Sequence, residues 1–251
     1  MGWIDKFYEN SWLRIMRHNS TTGYTEVNGT ALSPTYSVAD WTALQALSMT
    51  SADDNLIALV ETIGNNSNGT LFRYKHSITR WVNLHPFELF YENYAASDNG
   101  IAIPTGVTAA TLFAPAATPT IPAGLLRASS KIEINAQIAR YSGVNANCTC
   151  IMYLGTAGSA ADSDVSAVVI ALTGATHAIG MNPIINFITT TTLITTYDQS
   201  IGRDVSTTAF TKDKNTNINT AADMYVKVGM SAKNTNDAFK LTSLSVRIVR
   251  I

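Results

Sequence analysis

Paired carboxylates are the first residues of this chain whose types and spacing could do chemistry. Asp162 and Asp164 alternate within GTAGSAADSDVS, a loop rich in Gly and Ser, and alternate aspartates can coordinate Ca²⁺. The rest of that loop lacks the other ligands of a recognised calcium motif. Asp53 and Asp54 form a second acidic pair, which we interpret as a solvated turn. Neither pair leads us to predict a metal site.

Glutamates could instead serve a glycan-cleaving enzyme, which needs two carboxylates roughly 5 to 10 Å apart in a cleft. The candidates are Glu61, Glu88, Glu92 and Glu133. No spacing joins any two of them, and the chain contains no Gly-x-Ser-x-Gly elbow, phosphate-binding loop, dinucleotide fingerprint or HExxH. A catalytic triad assembled from distant residues would leave no such trace, because triads are recognised by geometry. We predict a non-catalytic protein without a metal or cofactor.

The cysteines and histidines are also read as structural residues. Cys148 and Cys150 are the only cysteines, and they alternate within NCTCIMY, a strand-like segment that would place both thiols on one face. A bridge between them would strain the strand, so we predict two buried, reduced thiols. No histidine has another His, Cys or acid at metal-ligand spacing. The four histidines are His18, His76, His85 and His177.

The composition of the chain favours a β protein with partners over a freely diffusing helical enzyme. Only 14% of its 251 residues are charged, against about 25% in typical globular domains. The polar surface must therefore come from Thr, Ser and Asn, which suit strands, turns and surfaces that stay in contact with a partner. The net charge of −1 and the scattered Lys and Arg offer no basic field for nucleic acid. No apolar run of about 18 residues predicts a membrane-spanning helix.

The aromatic residues near the N-terminus permit two interpretations. Residues 3–17, WIDKFYENSWLRIMR, place apolar side chains at a loosely helical spacing among charges. They could form a short packing helix or arm. They could also form a segment that docks on a neighbouring subunit, with Trp3, Phe7 and Trp12 as its anchors, because aromatic residues concentrate at interface cores. The segment lacks the continuous apolar core of a signal peptide.

A small module with one helix and a hairpin is predicted next. Residues 38–49, VADWTALQALSM, have the strongest helical pattern in the sequence, with Ser37 as the N-cap and Asp40 in the first turn. The segment LIALVETIG, from residue 56, predicts a buried strand. The segment LFRYKHSITRWVNL, from residue 71, predicts a hairpin that turns at Lys-His-Ser.

The aromatic side chains of that hairpin are candidate interaction residues. Phe72, Tyr74 and Trp81 lie beside Arg, Lys and Arg, and aromatic faces beside polar donors can grip a sugar or a partner's backbone. The alternative is that Phe72 and Trp81 form a cross-strand pair that holds the small sheet together.

The second half of the chain reads as a β-sandwich. Residues 95–124 are rich in Pro, Ala and Thr and nearly uncharged, which predicts an extended linker lying on a surface. From residue 125 onward short strands recur with turns about every ten residues, as in sandwiches and barrels. In SKIEINAQIARYSG, Ile132, Ile134 and Ile138 alternate with polar residues, which is the pattern of a half-buried strand. We predict three parts: an α+β module over 1–94, a linker over 95–124 and an antiparallel β-sandwich over 125–251.

Several short motifs resemble structural proteins of tailed bacteriophages. They are Leu71-Phe-Arg-Tyr, Arg80-Trp-Val-Asn-Leu, Ile121-Pro-Ala-Gly-Leu-Leu and Leu154-Gly-Thr-Ala, in that order along the chain. Lys75-His-Ser stands where such hairpins usually turn on Asp-Gly, which leaves the turn type open. The resemblance implies a virion protein such as a head or tail fibre, a decoration protein or a receptor-binding tip. It also implies a jelly-roll-like sandwich that assembles as a homotrimer.

Three functions remain open from the sequence. The first is a virion structural protein in which residues 1–94 dock onto capsid or tail proteins and residues 125–251 are displayed. The second is a carbohydrate-binding module or adhesin that recognises a host surface glycan, with the aromatic hairpin and the Asp162 loop as candidate contacts. The third is a glycan depolymerase, although no spacing in the sequence indicates a catalytic pair of carboxylates.

Overall fold

The computed structural model of the chain is mainly β, as the sequence predicts, with several antiparallel sheets. It describes residues 17–18, 25–27, 30–32, 36–65, 67–94, 101–102, 111–115, 117–142, 146–172, 177–198, 201–202, 205–210, 214–215, 218–231 and 238–251. Its contacts divide the chain into two compact units. The first unit comprises residues 1–61 and 69–84, and the second comprises residues 62–68 and 85–251.

The described residues of the first unit form two small antiparallel sheets and one helix. Strands β1, β2 and β3 form a three-stranded sheet, and strands β4, β5, β6 and β7 form a four-stranded sheet in that order. The helix α1 lies between β4 and β5, and short 3₁₀ turns cover Ser51–Asp53 and His76–Ile78. The strands are β1 (Arg17–His18), β2 (Thr25–Val27), β3 (Thr30–Leu32), β4 (Tyr36–Asp40), β5 (Ile57–Thr62), β6 (Thr70–Lys75) and β7 (Arg80–Asn83), and the helix is α1 (Trp41–Gln45).

Helix α1 is shorter than the sequence predicts, and its start is displaced. The prediction of a helix over 38–49 with Ser37 as the N-cap is wrong, because residues 36–40 are extended and belong to β4. Asp40 is the N-cap: its backbone is extended (φ −151°, ψ 178°) and its carboxylate accepts a hydrogen bond from the Ala43 N–H at 2.8 Å. An aspartate at this position satisfies an N–H that the first turn leaves unpaired. The helix buries Trp41 and Leu44, one turn apart on the same face.

The hairpin of β6 and β7 forms as predicted, and its aromatic side chains make the core of the first unit. Phe72 is fully buried and stacks at a tilt against Trp41, with ring centroids 5.3 Å apart. The predicted pairing of Phe72 with Trp81 is wrong. Tyr74 stands opposite Trp81, with ring centroids 5.5 Å apart and an edge-to-face angle of 60°, while Phe72 stands opposite Asn83. The turn sets this register, because Lys75 pairs with Arg80 and Thr79 adopts a left-handed backbone (φ 50°).

The described residues of the second unit form an antiparallel β-sandwich of two sheets. Sheet I has the order β18-β15-β12-β16-β17-β20, with β22 on the other side of β12 and β8 and β9 on the far side of β22. Sheet II has the order β10-β21-β13-β14-β19, with β11 also paired to β21. The strands of sheet I are β8 (Phe87–Asn93), β9 (Ile101–Ala102), β12 (Lys131–Ser142), β15 (His177–Met181), β16 (Pro183–Phe187), β17 (Leu193–Asp198), β18 (Ile201–Gly202), β20 (Lys214–Asn215) and β22 (Ala238–Arg250). Those of sheet II are β10 (Thr111–Leu112), β11 (Thr120–Ile121), β13 (Ala146–Gly155), β14 (Ser163–Leu172), β19 (Val205–Phe210) and β21 (Met224–Ser231).

The strand pairs of the sandwich are nested. Strand β12 pairs with the last strand, β22, and β13 pairs with the strand before it, β21. Inside these lie the pairs β14 with β19 and β16 with β17. Connections of this kind carry the chain back and forth between two sheets, as in the double Greek keys of jelly rolls. The sheets are also tied by a hydrogen bond from the Thr195 hydroxyl on β17 to the Val165 carbonyl on β14.

The core between the sheets follows from the alternation of buried and more exposed residues along the central strands. Ile132, Ile134 and Ile138 of β12 are buried, as the sequence predicts, and so are Leu244 and Val246 of β22. The intervening residues of both strands are exposed or half-buried. A strand with one buried face and one solvated face is the signature of an antiparallel sheet that covers a core on one side only.

The proline-rich stretch belongs to the sandwich where the structure describes it. Residues 101–102 pair with β22, and residues 111–112 and 120–121 pair with β21. Phe113 and Ile121 are buried, so these parts do not lie on a surface as expected for a linker. The contacts divide the chain after Leu84 and not after residue 94, because β8 pairs with β22 inside sheet I. Among the described residues, no helix is both long and apolar enough to cross a membrane.

The packing of Phe72 gives a direct test of the first unit. Replacing Phe72 by Ala should lower the free energy of unfolding by about 3–5 kcal/mol, because a fully buried phenylalanine is lost and a cavity is left. Urea unfolding followed by tryptophan fluorescence measures this change, since Trp41 and Trp81 lie in the same unit. The control Ile78→Ala removes a side chain that is 45% exposed and should cost less than about 0.5 kcal/mol. Equal losses in the two variants would contradict the burial of Phe72.

Candidate functional site

The outward side of sheet I carries a cluster of polar side chains. Its central strands β8, β22, β12 and the run from β15 to β16 lie side by side. Residues directly opposite one another on neighbouring antiparallel strands project from the same face. The register therefore arranges the outward side chains in three rows that cross the strands. We call these rows together the polar face.

The first row contains the exposed aromatic residue of the polar face. Tyr91 on β8 is opposite Ser245 on β22, and Ser245 is opposite Asn135 on β12. Tyr91 is 60% exposed, a large fraction for an aromatic side chain, and Asn135 is also exposed. The row continues to Asn182, which separates β15 from β16.

The second row holds the charges. Glu88 is opposite Arg247, and Arg247 is opposite Glu133, so that one guanidinium stands between two carboxylates. Arg247 Nη1 donates to Glu133 Oε2 at 3.2 Å, and these side chains are 51% and 34% exposed. An ion pair this open to water contributes less than about 1 kcal/mol. Ile184 on β16 is opposite Glu133 and belongs to the same row.

The third row is made of amides and a hydroxyl. Asn93 is opposite Ser243, Ser243 is opposite Gln137, and Gln137 is opposite Gly180. Gln137 Nε2 donates to Asn135 Oδ1 at 3.1 Å, which links this row to the first. A Cβ at Gly180 would lie 3.2 Å from Gln137 Nε2, so glycine leaves the room in which the Gln137 amide lies.

A groove of about 350 Å³ opens on the polar face where the strand beside β12 is interrupted. The pairs Ala136–Met181 and Glu133–Ile184 belong to one register. Between them, Asn182 separates β15 from β16, and Pro183 is the first residue of β16. Proline has no N–H for the ladder, which accounts for a break at this point. The groove is lined by Glu133, Ile134, Asn135, Asn182, Pro183, Ile184, Ser245 and Arg247.

The loop that carries Asp162 is a closed turn. Asp162 Oδ1 accepts from the Ala157 N–H at 2.9 Å, and Oδ2 accepts from the Ser159 N–H at 3.1 Å. A Cβ added at Gly155 would overlap the Asp162 carboxylate, so glycine permits the close approach. Both oxygens therefore hold the loop backbone. The side chain of Asp164 lies outside the described part of the chain.

The other residues considered for chemistry are likewise placed in structural settings. Cys148 and Cys150 are unbridged and buried on β13, as predicted, and burial raises the pKa of the Cys150 thiol, which keeps it protonated. The part of the chain that the structure describes contains no group of three or more His, Cys, Asp or Glu that could hold a metal ion. Glu133 pairs with Arg247 and not with another of the glutamates considered for glycan cleavage.

Of the predicted interaction residues, the structure describes only the three of the hairpin. Trp3, Phe7 and Trp12 lie outside the described residues. Phe72, Tyr74 and Trp81 are 0%, 3% and 5% exposed, so their rings pack inside the first unit and present no face to a ligand. The loop of Asp162 also lies apart from the polar face in the chain's topology, at the β13–β14 turn of sheet II.

Sequence reasoning missed the polar face, although part of its signal was available. The alternation in SKIEINAQIARYSG marks Glu133, Asn135 and Gln137 as the outward residues of one strand. The alternation does not reveal which strands lie beside this one. Ser245 and Tyr91 come from segments more than 40 residues away in the sequence, and only the register brings them beside Asn135.

Comparisons with known proteins show weak likenesses of fold. No family profile matches the chain, and no curated protein matches it. The structure of the CBM2 module of Lactobacillus casei BL23 phage J-1 evolved Dit is 6% identical, with 66% of this chain and 97% of that chain covered, at a TM-score of 0.35. A β-fructofuranosidase from Schwanniomyces occidentalis, complexed with fructosyl-erythritol, is 8% identical, with 78% and 39% covered, at a TM-score of 0.25. The structure of infectious bursal disease virus Gx strain is 10% identical, with 73% and 51% covered, at a TM-score of 0.23. Likenesses this low carry no argument about function.

The Asp162 turn can be tested by substitution and by added calcium. Asp162→Ala should destabilise the protein by about 1–3 kcal/mol, because two backbone N–H groups lose a charged acceptor. Asp162→Asn, which keeps one acceptor oxygen, should recover part of that loss. Thermal unfolding measures both variants. Millimolar CaCl₂ should leave the midpoint of the unmodified chain unchanged, and a calcium-dependent rise that Asp162→Ala abolishes would instead establish an ion site.

Proposed function

We propose that this chain is a structural component of a bacteriophage virion, a fibre or decoration protein that displays its sandwich from the particle. The observation that supports it is the order of the two units, a small α+β unit followed by a large antiparallel sandwich. The sequence resemblance to tailed-phage structural proteins implies that order. In this proposal the first unit docks onto capsid or tail proteins, and the chain has no catalytic role.

Assembly as a homotrimer is part of the same proposal. The chain has few charges, 14% of its residues, so its polar surface must draw heavily on Thr, Ser and Asn. Such surfaces suit a subunit that lives within a symmetric assembly. The aromatic segment with Trp3, Phe7 and Trp12 is the candidate anchor to neighbouring subunits, because large aromatic side chains dominate the binding energy of interfaces.

Glycan binding by the sandwich is a second candidate function, and the polar face favours it. Carbohydrate sites combine an apolar or aromatic platform with a few convergent polar groups, and Tyr91, Asn135 and Ser245 supply both on one row. The two functions are compatible, because a displayed virion protein can also bind a host surface glycan. The binding function places the ligand on sheet I and not on the buried aromatic hairpin.

Mass spectrometry of purified particles tests the virion proposal. Peptides covering both units should be recovered from particles banded on a density gradient, in a fixed ratio to the major capsid protein. Finding the chain in the infected-cell lysate but not in the banded particles would sink the proposal.

Light scattering on the full-length recombinant chain tests the trimer. The expected mass is three times 27.0 kDa. A Trp3→Ala, Phe7→Ala and Trp12→Ala triple variant should lower that mass if the aromatic segment joins subunits, and Ile78→Ala serves as the control. A mass of 27.0 kDa for the unmodified chain across the accessible concentration range would contradict a self-assembling trimer.

A further inference from the structure

We propose that the polar face is a binding site for a neutral oligosaccharide, which lies across the strands of sheet I with one ring stacked on Tyr91. This inference rests on the second candidate function and assigns it a site and a ligand class. Its polar contacts are the amides of Asn135 and Gln137 and the hydroxyl of Ser245. None of these residues has a role in the core of the sandwich, because all project from the outward side.

Tyr91 supplies the apolar platform. Its ring is 60% exposed on a strand at the side of the sheet, where burial would be the usual outcome for a large aromatic side chain. A sugar ring has an apolar side made of its C–H groups and a rim of hydroxyls. Stacking that side on Tyr91 directs the rim toward the neighbouring residue of the row, Ser245, and then toward Asn135.

The amides beside Tyr91 are suited to hydroxyl recognition. An Asn or Gln side chain offers a carbonyl acceptor and two N–H donors in one plane, so it can pair with both roles of a sugar hydroxyl. The Asn135 carbonyl already accepts from Gln137 Nε2 at 3.1 Å, and this bond orients the Asn135 amide with its donors available to a ligand. The groove of about 350 Å³ places Asn135 and Ser245 on its lining together.

The charge arrangement selects a neutral ligand. Arg247 is the cation at the centre of the face, and it is flanked by Glu88 and Glu133 and bonded to the latter at 3.2 Å. A carboxylated or sulfated sugar would have to displace Glu133 and approach Glu88. A neutral sugar can use the same side chains as hydrogen-bond partners without breaking the pair, since carboxylates and guanidinium groups bond hydroxyls well.

The dimensions and composition of the face favour a short carbohydrate chain over a second copy of the protein. The rows cross four neighbouring strands, which lie about 4.8 Å apart, so each row is roughly 15 Å long. This length suits a few sugar rings. Interfaces between copies have cores enriched in apolar and aromatic residues. Of the described row residues on β8, β22, β12 and the run from β15 to β16, only Tyr91 and Ile184 are large and apolar.

Titration calorimetry on the full-length chain tests the site. The probes are tetrasaccharides of glucose, galactose, mannose and N-acetylglucosamine at millimolar concentration, with a tetrasaccharide of galacturonic acid as the charged comparison. We expect at least one neutral probe to bind and the charged probe to bind at least tenfold more weakly. Tyr91→Ala and Asn135→Ala should each weaken the neutral probe at least tenfold, while Tyr91→Phe, which keeps the ring, should stay within about threefold, since a tenfold change corresponds to about 1.4 kcal/mol.

Controls separate this inference from its alternatives. Ile78→Ala changes an exposed apolar residue of the first unit and should leave binding unchanged. No binding of any neutral probe would overturn the inference, as would binding that survives Tyr91→Ala in folded protein. A fall in oligomer mass on Tyr91→Ala, without any sugar binding, would show that the face joins copies of the chain. If the protein is present in particles but binds no sugar, this inference is wrong and the virion proposal stands. If the protein binds sugar but is absent from particles, the virion proposal is wrong and this inference stands.

Discussion

The pairing of β12 with β22 is the constraint on which the rest of the sandwich depends. It runs from Lys131–Arg250 to Ser142–Ala238 and joins segments about one hundred residues apart in the chain. Strand β22 also pairs with β8 and β9 on its other side. In the described part of the chain, β8 and β9 therefore join sheet I through β22 alone. Closing so long a loop costs conformational entropy, and this cost arises before the contacts between the two strands can offset it. The pairing therefore has to be long and well specified.

Register is specified by the alternation of these two strands. Ile134 stands opposite Val246 on the buried side, and Asn135 stands opposite Ser245 on the outward side. A slip of one residue would move isoleucines into water and amides into the core, which makes the correct register strongly preferred. The ladder carries irregular steps, one of them between Gln137 and Ile138, where Thr242 donates its hydroxyl to the Gln137 carbonyl at 3.1 Å. A side-chain bond of this kind satisfies backbone that the ladder leaves unpaired.

The sequence predicts what local chemistry decides and misses what distant pairing decides. Alternation over 131–138 and the β6–β7 hairpin are both visible in the printed letters, and both occur. The prediction of a helix over 38–49 is wrong because the apolar spacing does not reveal that Asp40 has an extended backbone and is the N-cap. The Tyr74–Trp81 pair is missed because its register depends on the number of residues in the turn. The prolines of 95–124 read as a linker, yet short paired segments between them attach to β21 and β22. The sequence does not reveal the polar face for the same reason, since its rows exist only once four separate segments of the chain are aligned in sheet I.

The core and the polar face are two sides of the same strands, and this has a consequence for how each can change. Val246 packs inward, and its neighbours Ser245 and Arg247 project outward. The register of this one strand therefore fixes both the packing of the core and the arrangement of the surface side chains. A substitution that shifts the register would destroy the rows along with the core. A substitution of Tyr91, Asn135 or Arg247 removes no buried side chain and leaves the register to the isoleucines beneath. The outward chemistry of such a sandwich can therefore vary widely at little cost in stability.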